Sequence, residues 1–420
     1  MINVKPAFSF FLCIIVFTFF VSVNSIAQQQ KNSGKDKMSG QTDLKDLLKD
    51  LFGSKKKISD TLIIVNPEDR VAVSILPGVS YNPATSFIVG LSASVTWYFG
   101  DLSNTTNSTI SSGLSYSLKN QFKLSLQSSI FAKNDDWSFQ GDWRFWKYVQ
   151  NTYGLGTGTP NSNEQNMKFN MIRFNENILK NIFEGAYAGL GYSMEYYSSI
   201  ESIDEEENPL NPNIHNNYCR LHGIDSTEYL SSGIVLNVNF DSRDNTVNAY
   251  KGMMFDAKYY NYNKAIGSVT NWQKIDLEFR AFHSFKKNNS YRIGLWLMGS
   301  YVLNGNIPYM SLSSNGWDKY NATARGYVQG RFRGRNMFYG EIENRFNLTK
   351  NGLLGLAVFA NAISLSNPDN DVKVFEYIEP AGGVGLRIKF DKYARTNISV
   401  DYGIGRDDSK GVFLTIGEFF

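Results

Sequence analysis

The chain has 420 residues, with 42 Lys and Arg against 39 Asp and Glu, and the net charge of +3 is too small to mark a nucleic-acid binder. It carries 30 Phe, 24 Tyr, 7 Trp and 35 Gly at a mean hydropathy of −0.30. Beyond the N-terminal stretch it has no apolar run of the ~18 residues a spanning helix needs, which excludes a helical membrane protein.

Lys5 precedes an apolar run from Phe8 to Val23, and Ser25-Ile26-Ala27 supplies small residues before Gln28. This predicts a secretory signal peptide over residues 1–27, removed after Ala27. Cys13 lies inside the run without the small residues that precede a lipidated cysteine, so no lipid anchor is expected. The mature chain then keeps one cysteine, Cys219, and no internal disulfide.

Residues 28–71 read as a periplasmic linker with a short amphipathic helix. Leu44, Leu47, Leu48, Leu51 and Phe52 recur at helical spacing, and Gly53 and Lys55-Lys56-Lys57 follow. Such a helix suits a plug at a barrel mouth or the inner leaflet, and equally a barely ordered tether.

From 72 to 420 the period is two. Trp137, Phe139, Trp143 and Phe145 oppose Ser138, Gln140, Asp142 and Arg144; Ile275, Leu277 and Phe279 oppose Asp276, Glu278 and Arg280. One face suits acyl chains and the other water, so the fold class is all-β, a transmembrane antiparallel barrel of about 16 strands. The first strands fall at 72–80 and 88–98, two central ones at 167–177 and 182–198, and the last at 394–404 and 411–420. With the first strand running upward, the long segments 150–166, 199–229, 304–334 and 365–379 all lie outside the cell. The periplasmic turns are short, such as Asn134-Asp135 and Asn351-Gly352.

The stretch 321–348 carries the strongest functional signal. An arginine-rich, glycine-punctuated loop holds Arg325, Gly326 and Tyr327 and continues through Arg331, Arg333 and Arg335. It leads into a strand with Tyr339, Glu341, Glu343 and Arg345 on one face and Ile342, Phe346 and Leu348 on the other. Such a loop can fold inward and dock on that acidic wall.

Ala324-Arg325-Gly326-Tyr327 resembles the Val-Arg-Gly-Phe-like motif of the outer-membrane assembly-factor superfamily labelled bacterial surface antigen, typified by BamA and TamA. In that family the arginine folds into the lumen and pairs with an acid on the next strand. The resemblance therefore implies that Arg325 pairs with Glu343, in a Glu-x-Arg segment ending at Arg345, with Tyr327 packing the loop. The family's Phe-x-Asp-x-Gly pattern corresponds to Phe359-Ala360-Asn361-Ala362-Ile363, which has Asn361 and Ile363 instead. Asp241, Arg243 and Asp244 are similar to the family's Asp-x-Arg-Asp turn. Thr415-Ile416-Gly417-Glu418-Phe419-Phe420 looks like the terminal signal of outer-membrane barrels, with Leu414 and Ile416 toward lipid and Phe420 at the periplasmic interface. The family's mechanism implies a weak seam between first and last strands. Pro77 and Gly78 in the first strand and Gly417 in the last fit that, although Pro77 equally suits a strand start.

The resemblance implies insertion or translocation of proteins, or of lipids, at the bacterial outer membrane. The partners it implies are outer-membrane lipids, client outer-membrane proteins and other envelope proteins, with no cofactor, metal or enzymatic step. Residues 28–71 cannot hold one of the family's periplasmic βααββ modules, and no Gly-x-Ser-x-Gly elbow marks a fused hydrolase. A passive porin-like channel is the alternative, and an outer-membrane hydrolase a third. His215, Cys219 and His222 near Glu205, Glu206 and Glu207 match no strong zinc spacing and read as a polar surface loop. His283 has no visible catalytic partner.

Overall fold

The computed structural model describes residues 40–44, 46–47, 71–82, 86–100, 105–118, 120–202, 213–392 and 395–420. The expected signal peptide over 1–27, Cys13, Glu205 to Glu207 and most of the expected linker over 28–71 lie outside the described residues.

The strands are β1 (Val71–Asn82), β2 (Ser86–Trp97), β3 (Ser108–Ser117), β4 (Phe122–Phe131), β5 (Trp137–Thr152), β6 (Gln165–Phe183), β7 (Ala186–Ser202), β8 (Tyr229–Asp241), β9 (Gly252–Tyr262), β10 (Trp272–Ser284) and β11 (Tyr291–Gly305). Then come the two-residue β12 (Ser313–Ser314) and β13 (Arg333–Gly334), followed by β14 (Met337–Asn347), β15 (Leu354–Leu365), β16 (Glu379–Asp391), β17 (Thr396–Ile404) and β18 (Lys410–Ile416). All but β12 and β13 join one sixteen-stranded antiparallel sheet in chain order, the architecture expected from the period-two pattern.

The sheet curls around the segment 306–336. Within that segment Arg144 on β5 donates to the Asp318 carbonyl (2.8 Å), the Arg280 guanidinium on β10 lies over the Tyr320 ring (4.8 Å), and Arg325 reaches Glu343 on β14 and Asp401 on β17. A flat sheet could not meet one loop from strands so far apart. The result is a nearly closed barrel with the loop in its lumen. The two faces follow the alternation: Ser138 and Arg144 are fully buried inside, whereas Leu190, Ile234, Leu236, Val384 and Leu414 are exposed outside as a lipid-facing band.

Three local features depart from the pattern. β6 runs to Phe183 rather than 177, and the turn is Glu184-Gly185, with Gly185 at φ +78°. Asn175, Asn177 and Asn181 resemble turn residues, but Asn175 and Asn177 face the polar lumen, and Leu179 packs with Phe131 and Tyr187 inside. The last strand stops at Ile416: Gly417, at φ +106°, still donates to the Asn397 carbonyl of β17 (2.7 Å), and the final residues then turn into the lumen. The outer loop after β7 contains a helix that the sequence pattern did not reveal, α1 (Ile214–His222). Its N-terminus is capped by the Asn213 side chain, which accepts from Asn216 N (2.9 Å), and Gly223 ends it in the left-handed conformation.

At the periplasmic end, Leu44, Asp46 and Leu47 begin a helix. Asp43 and Asp46 cap each other's backbone, and Asp46 pairs with Lys392 (2.7 Å) in the β16–β17 turn. Thr42 N donates to the Asn351 carbonyl in the β14–β15 turn (3.1 Å).

Candidate functional site

The site is the luminal face of β14 to β17 and the loop tip that docks on it. β14 places Tyr339, Glu341, Glu343 and Arg345 inward at alternate positions, while Ile342 is exposed to the lipid side. The register sets Glu341 beside Asn361 and Glu343 beside Phe359 on β15, and Gly385 of β16 beside Asp401 of β17.

Ala324 at φ +61° and Gly326 at φ +121° bend the loop so that Arg325 points into this wall. A Cβ on Gly326 would stand 2.7 Å from Ala381 Cβ and 3.1 Å from the Ile404 carbonyl, and one on Gly403 would stand 2.8 Å from Gly326 N. Loop backbone therefore packs on strand backbone, which only glycine permits here.

The Arg325 guanidinium is fully buried and pairs with Glu343 (2.6 Å), Glu341 and Asp401. The rings of Phe359 (3.9 Å) and Phe419 (4.4 Å) lie against it, and Asn361 Nδ2 donates to the Arg325 carbonyl (3.0 Å). Arg345 Nε donates to Glu343 (2.6 Å), Arg387 bridges Asp401 and Glu418 (2.7 Å), and Tyr339 OH donates to Glu341 (2.5 Å). Three arginines thus interlock with four carboxylates away from water. Losing one member strands the others, at a cost of about 3–5 kcal/mol.

The C-terminal residues complete the cluster from below. Phe420 is buried in the lumen, not at the periplasmic interface. Its ring stacks near Trp296 (5.4 Å) and Phe282 (5.9 Å), and its carbonyl accepts from Arg345 (2.8 Å). Gly294 makes room for it, since a Cβ there would stand 3.0 Å from the ring. The outward direction of Leu414 agrees with expectation, and Thr415 pairs with Ser399 on the inner face.

The other singled-out residues fall nearby. Tyr327 packs edge-on against Phe332 (4.8 Å), donates to the Pro380 carbonyl (2.8 Å) and accepts from Arg406 N (2.9 Å). In the periplasmic β8–β9 connection Arg243 closes on Asp241 (2.6 Å), while Asp244 pairs with Arg395 (2.7 Å) in the β16–β17 turn. Asn248 reaches the Arg395 carbonyl (3.1 Å) and Glu418 (3.3 Å), so this connection crosses the periplasmic mouth. Pro77 and Gly78 lie inside β1, opposite Leu91 and Gly90 of β2, six residues past the strand's start. Among the described residues β1 and β18 share no backbone ladder.

Arg331 is not part of the cluster: it donates to the Thr159 carbonyl (2.5 Å) and to Asn161 (3.1 Å). His215, Cys219 and His222 do not converge on one point. His215 and Cys219 are on the buried side of α1, with Cys219 Sγ 3.5 Å and Tyr229 OH 3.4 Å from His215 Nε2, whereas His222 turns to Asp369 (3.1 Å). The expected polar surface loop is therefore in part an apolar cap. Burial lowers the His215 pKa to about 4 and raises the Cys219 thiol to about 12. Between loop and wall a cavity of about 210 Å³ remains, lined by matched charges such as Arg173 with Glu195 and Lys274 with Asp276.

Sequence reasoning found Arg325 and Glu343. It missed Asp401, Arg387, Glu418, Phe419 and Gly403 as partners, because they lie 60 or more residues away in the chain and only barrel closure brings them in. Asp401 was the one acid facing inward on β17, the only local signal.

The Omp85 superfamily domain matches residues 88–420. Among solved structures, BamA from Haemophilus ducreyi lacking POTRA domains 1–3 superposes with a TM-score of 0.51 at 14% identity, covering 82% of this chain and 69% of that one. CdiB from Acinetobacter baumannii gives 0.53 at 13% identity, with 83% and 60% covered. CdiB from Escherichia coli gives 0.53 at 9% identity, with 84% and 63% covered. At such identities the likeness is one of fold, and the chain spans less than two thirds of either CdiB. No curated protein matches.

Proposed function

The chain belongs to the Omp85 superfamily, and from that premise we propose that it assists the insertion or translocation of proteins at the bacterial outer membrane through a seam between β1 and β18. The observation that supports this reading is the pair of end strands that, among the described residues, share no ladder, one of them seven residues long and ending before Gly417. A strand spanning a bilayer needs about 9–11 residues. β18 falls short of that, and Pro77 removes one backbone donor from β1. Both edges are thus poor at pairing with each other and open to an incoming strand, which supplies a full set of donors and acceptors.

The Arg325 cluster keeps the lumen plugged and holds β14 to β17 in register while the seam works. No step calls for covalent chemistry, and clients are the partners. A disulfide tying β1 to β18 should abolish assembly activity, read as loss of client proteins from the outer-membrane proteome after the native chain is depleted. Full activity in the tied protein refutes the seam. The porin reading predicts instead a steady conductance that survives deletion of 321–336.

A further inference from the structure

The periplasmic rim of the barrel is charged unevenly. On the β4–β5 and β6–β7 turns it carries Asp135, Asp136 and Glu184 with Lys133. On the β10–β11 turn it carries Lys286 and Lys287, and on the β14–β15 turn Lys350, with no acid in either. All three lysines are exposed, and among the described residues none has an ion pair or a ring beneath its ammonium. Asp43 and Asp46 reach the neighbouring turns but are taken up by each other's backbone and by Lys392 (2.7 Å). Lys180, at the same end of β6, is by contrast engaged, lying over the Trp137 ring (4.8 Å).

Above these turns the lipid-facing row is aromatic across three strands. His283 meets Phe285 edge-on (4.7 Å), Phe285 stacks on Tyr291 (4.9 Å), and Tyr291 stacks on its register partner Phe346 of β14 (4.9 Å). The row faces lipid, since it shares parity with exposed Leu277 on β10 and Ile342 on β14. Tyr291 OH donates to Asn344 Oδ1 on the same face (3.0 Å), while Phe285 and Leu348 stay exposed. Such a belt sits where acyl chains give way to headgroups, so lysines one and two residues further on stand among phosphates. Because β11 pairs with β14, the two turns are two strand spacings apart, about 10 Å. Unpaired ammoniums held that close repel each other, and a shared phosphate relieves the repulsion.

We propose that this sector holds an anionic phospholipid of the inner leaflet, its phosphate between Lys286, Lys287 and Lys350 and its acyl chains along the Phe285–Tyr291–Phe346 row. A headgroup with its own ammonium already neutralises its phosphate, so three lysines without counter-ions select a headgroup that has none. An acidic partner protein would meet the same charges, but the exposed flanks at Phe285 and Leu348 favour acyl chains. The bound lipid fastens to the leaflet the bank of the barrel that carries the Arg325 cluster.

The test uses the full chain in nanodiscs of equal parts dioleoyl phosphatidylglycerol, phosphatidylcholine and phosphatidylethanolamine, with retained lipids read by native mass spectrometry. One lysine near an anionic surface is worth a factor of roughly five, so glycerol lipid should be retained roughly tenfold or more over either zwitterionic lipid. Lys286→Gln, Lys287→Gln and Lys350→Gln together should bring that ratio near one while the heat-modifiable gel shift still reports a folded barrel. Lys286→Arg, Lys287→Arg and Lys350→Arg together should keep it, and Lys133→Gln on the acidic side of the rim should leave it unchanged. In the native chain the ratio should fall between about 0.05 M and about 0.5 M salt, a reading independent of any variant. A ratio insensitive to salt, or unchanged in the triple glutamine variant, overturns the proposal. An equal fall in Lys133→Gln does the same, since net charge alone would then explain the preference. So does in-cell photo-crosslinking from position 348 that yields a protein adduct and no lipid adduct.

Discussion

The walls on the two sides of the seam are built from different residues. On β14 to β17 the inward face carries Glu341, Glu343, Arg345, Arg387 and Asp401, all buried, with the three carboxylates on the plug's Arg325. On β2 to β4 it is mostly small and hydroxylic, with Ser92, Ser94, Thr96, Ser111, Gly113, Ser115 and Ser125. Ser94 meets Ser111 at 3.4 Å, and the firmer contacts are on β4, where Ser125 accepts from Trp146 Nε1 (3.0 Å) and Lys123 lies over the Trp146 ring (4.0 Å). Among the described residues, the plug's polar contacts with β2 to β4 are confined to Gln127 and Ser128, both with Lys319. Buried, interlocked ion pairs set one register because every alternative strands a charge. Serine rows tolerate sliding and loss of contact. The plug is therefore bound to one bank of the seam and rests lightly on the other.

The sharpest way to break this contrast is Arg325→Ala, which leaves Glu341, Glu343 and Asp401 without their shared cation. A destabilisation of about 3–5 kcal/mol is expected, read as protease cleavage within 321–336 and a lowered unfolding temperature. Arg331→Ala removes hydrogen bonds from the same loop but no buried pair and should cost about 1 kcal/mol. Equal effects from the two would dissolve the distinction between cluster and loop.

Phe420→Ala comes next, at about 3 kcal/mol for an aromatic ring lost from a packed site. It should also loosen Arg345 and raise hydrogen exchange in β14. If the tail instead lay along the seam at the membrane interface, exchange in β14 would not change.

A smaller effect concerns the outer cap. His215 is held neutral by burial, with Cys219, Tyr229 and Arg333 around it. An opened cap would protonate it near pH 6.5, the closed cap only near 4, so the closed form loses stability as pH falls between those values and is unaffected above them. The loss should be about 2 kcal/mol at pH 5, read as faster exchange of α1 amides, and His215→Phe should abolish the dependence. Smallest of all is Ser111→Ala on the serine wall, expected within about 0.5 kcal/mol of the native chain.

Period-two alternation and loop parity made sixteen strands legible, and their ends fall within a few residues of expectation except where lumen-facing asparagines imitate a turn on β6. The residues alone showed an arginine-rich loop able to dock on the acidic wall of β14, and the resemblance of Ala324 to Tyr327 to a family motif singled out Arg325 with Glu343. Asp401, Arg387 and the inward tail were not, since nothing local distinguishes an inward acid that will be paired from one that will face water. The one-letter pattern alone thus determined which face of each strand meets lipid, because burial in a bilayer sorts side chains residue by residue. Which charges meet inside was decided only by the curl of the sheet, because wrapping the strands around the loop brings wall residues of β14 to β17 and the final phenylalanines onto one guanidinium.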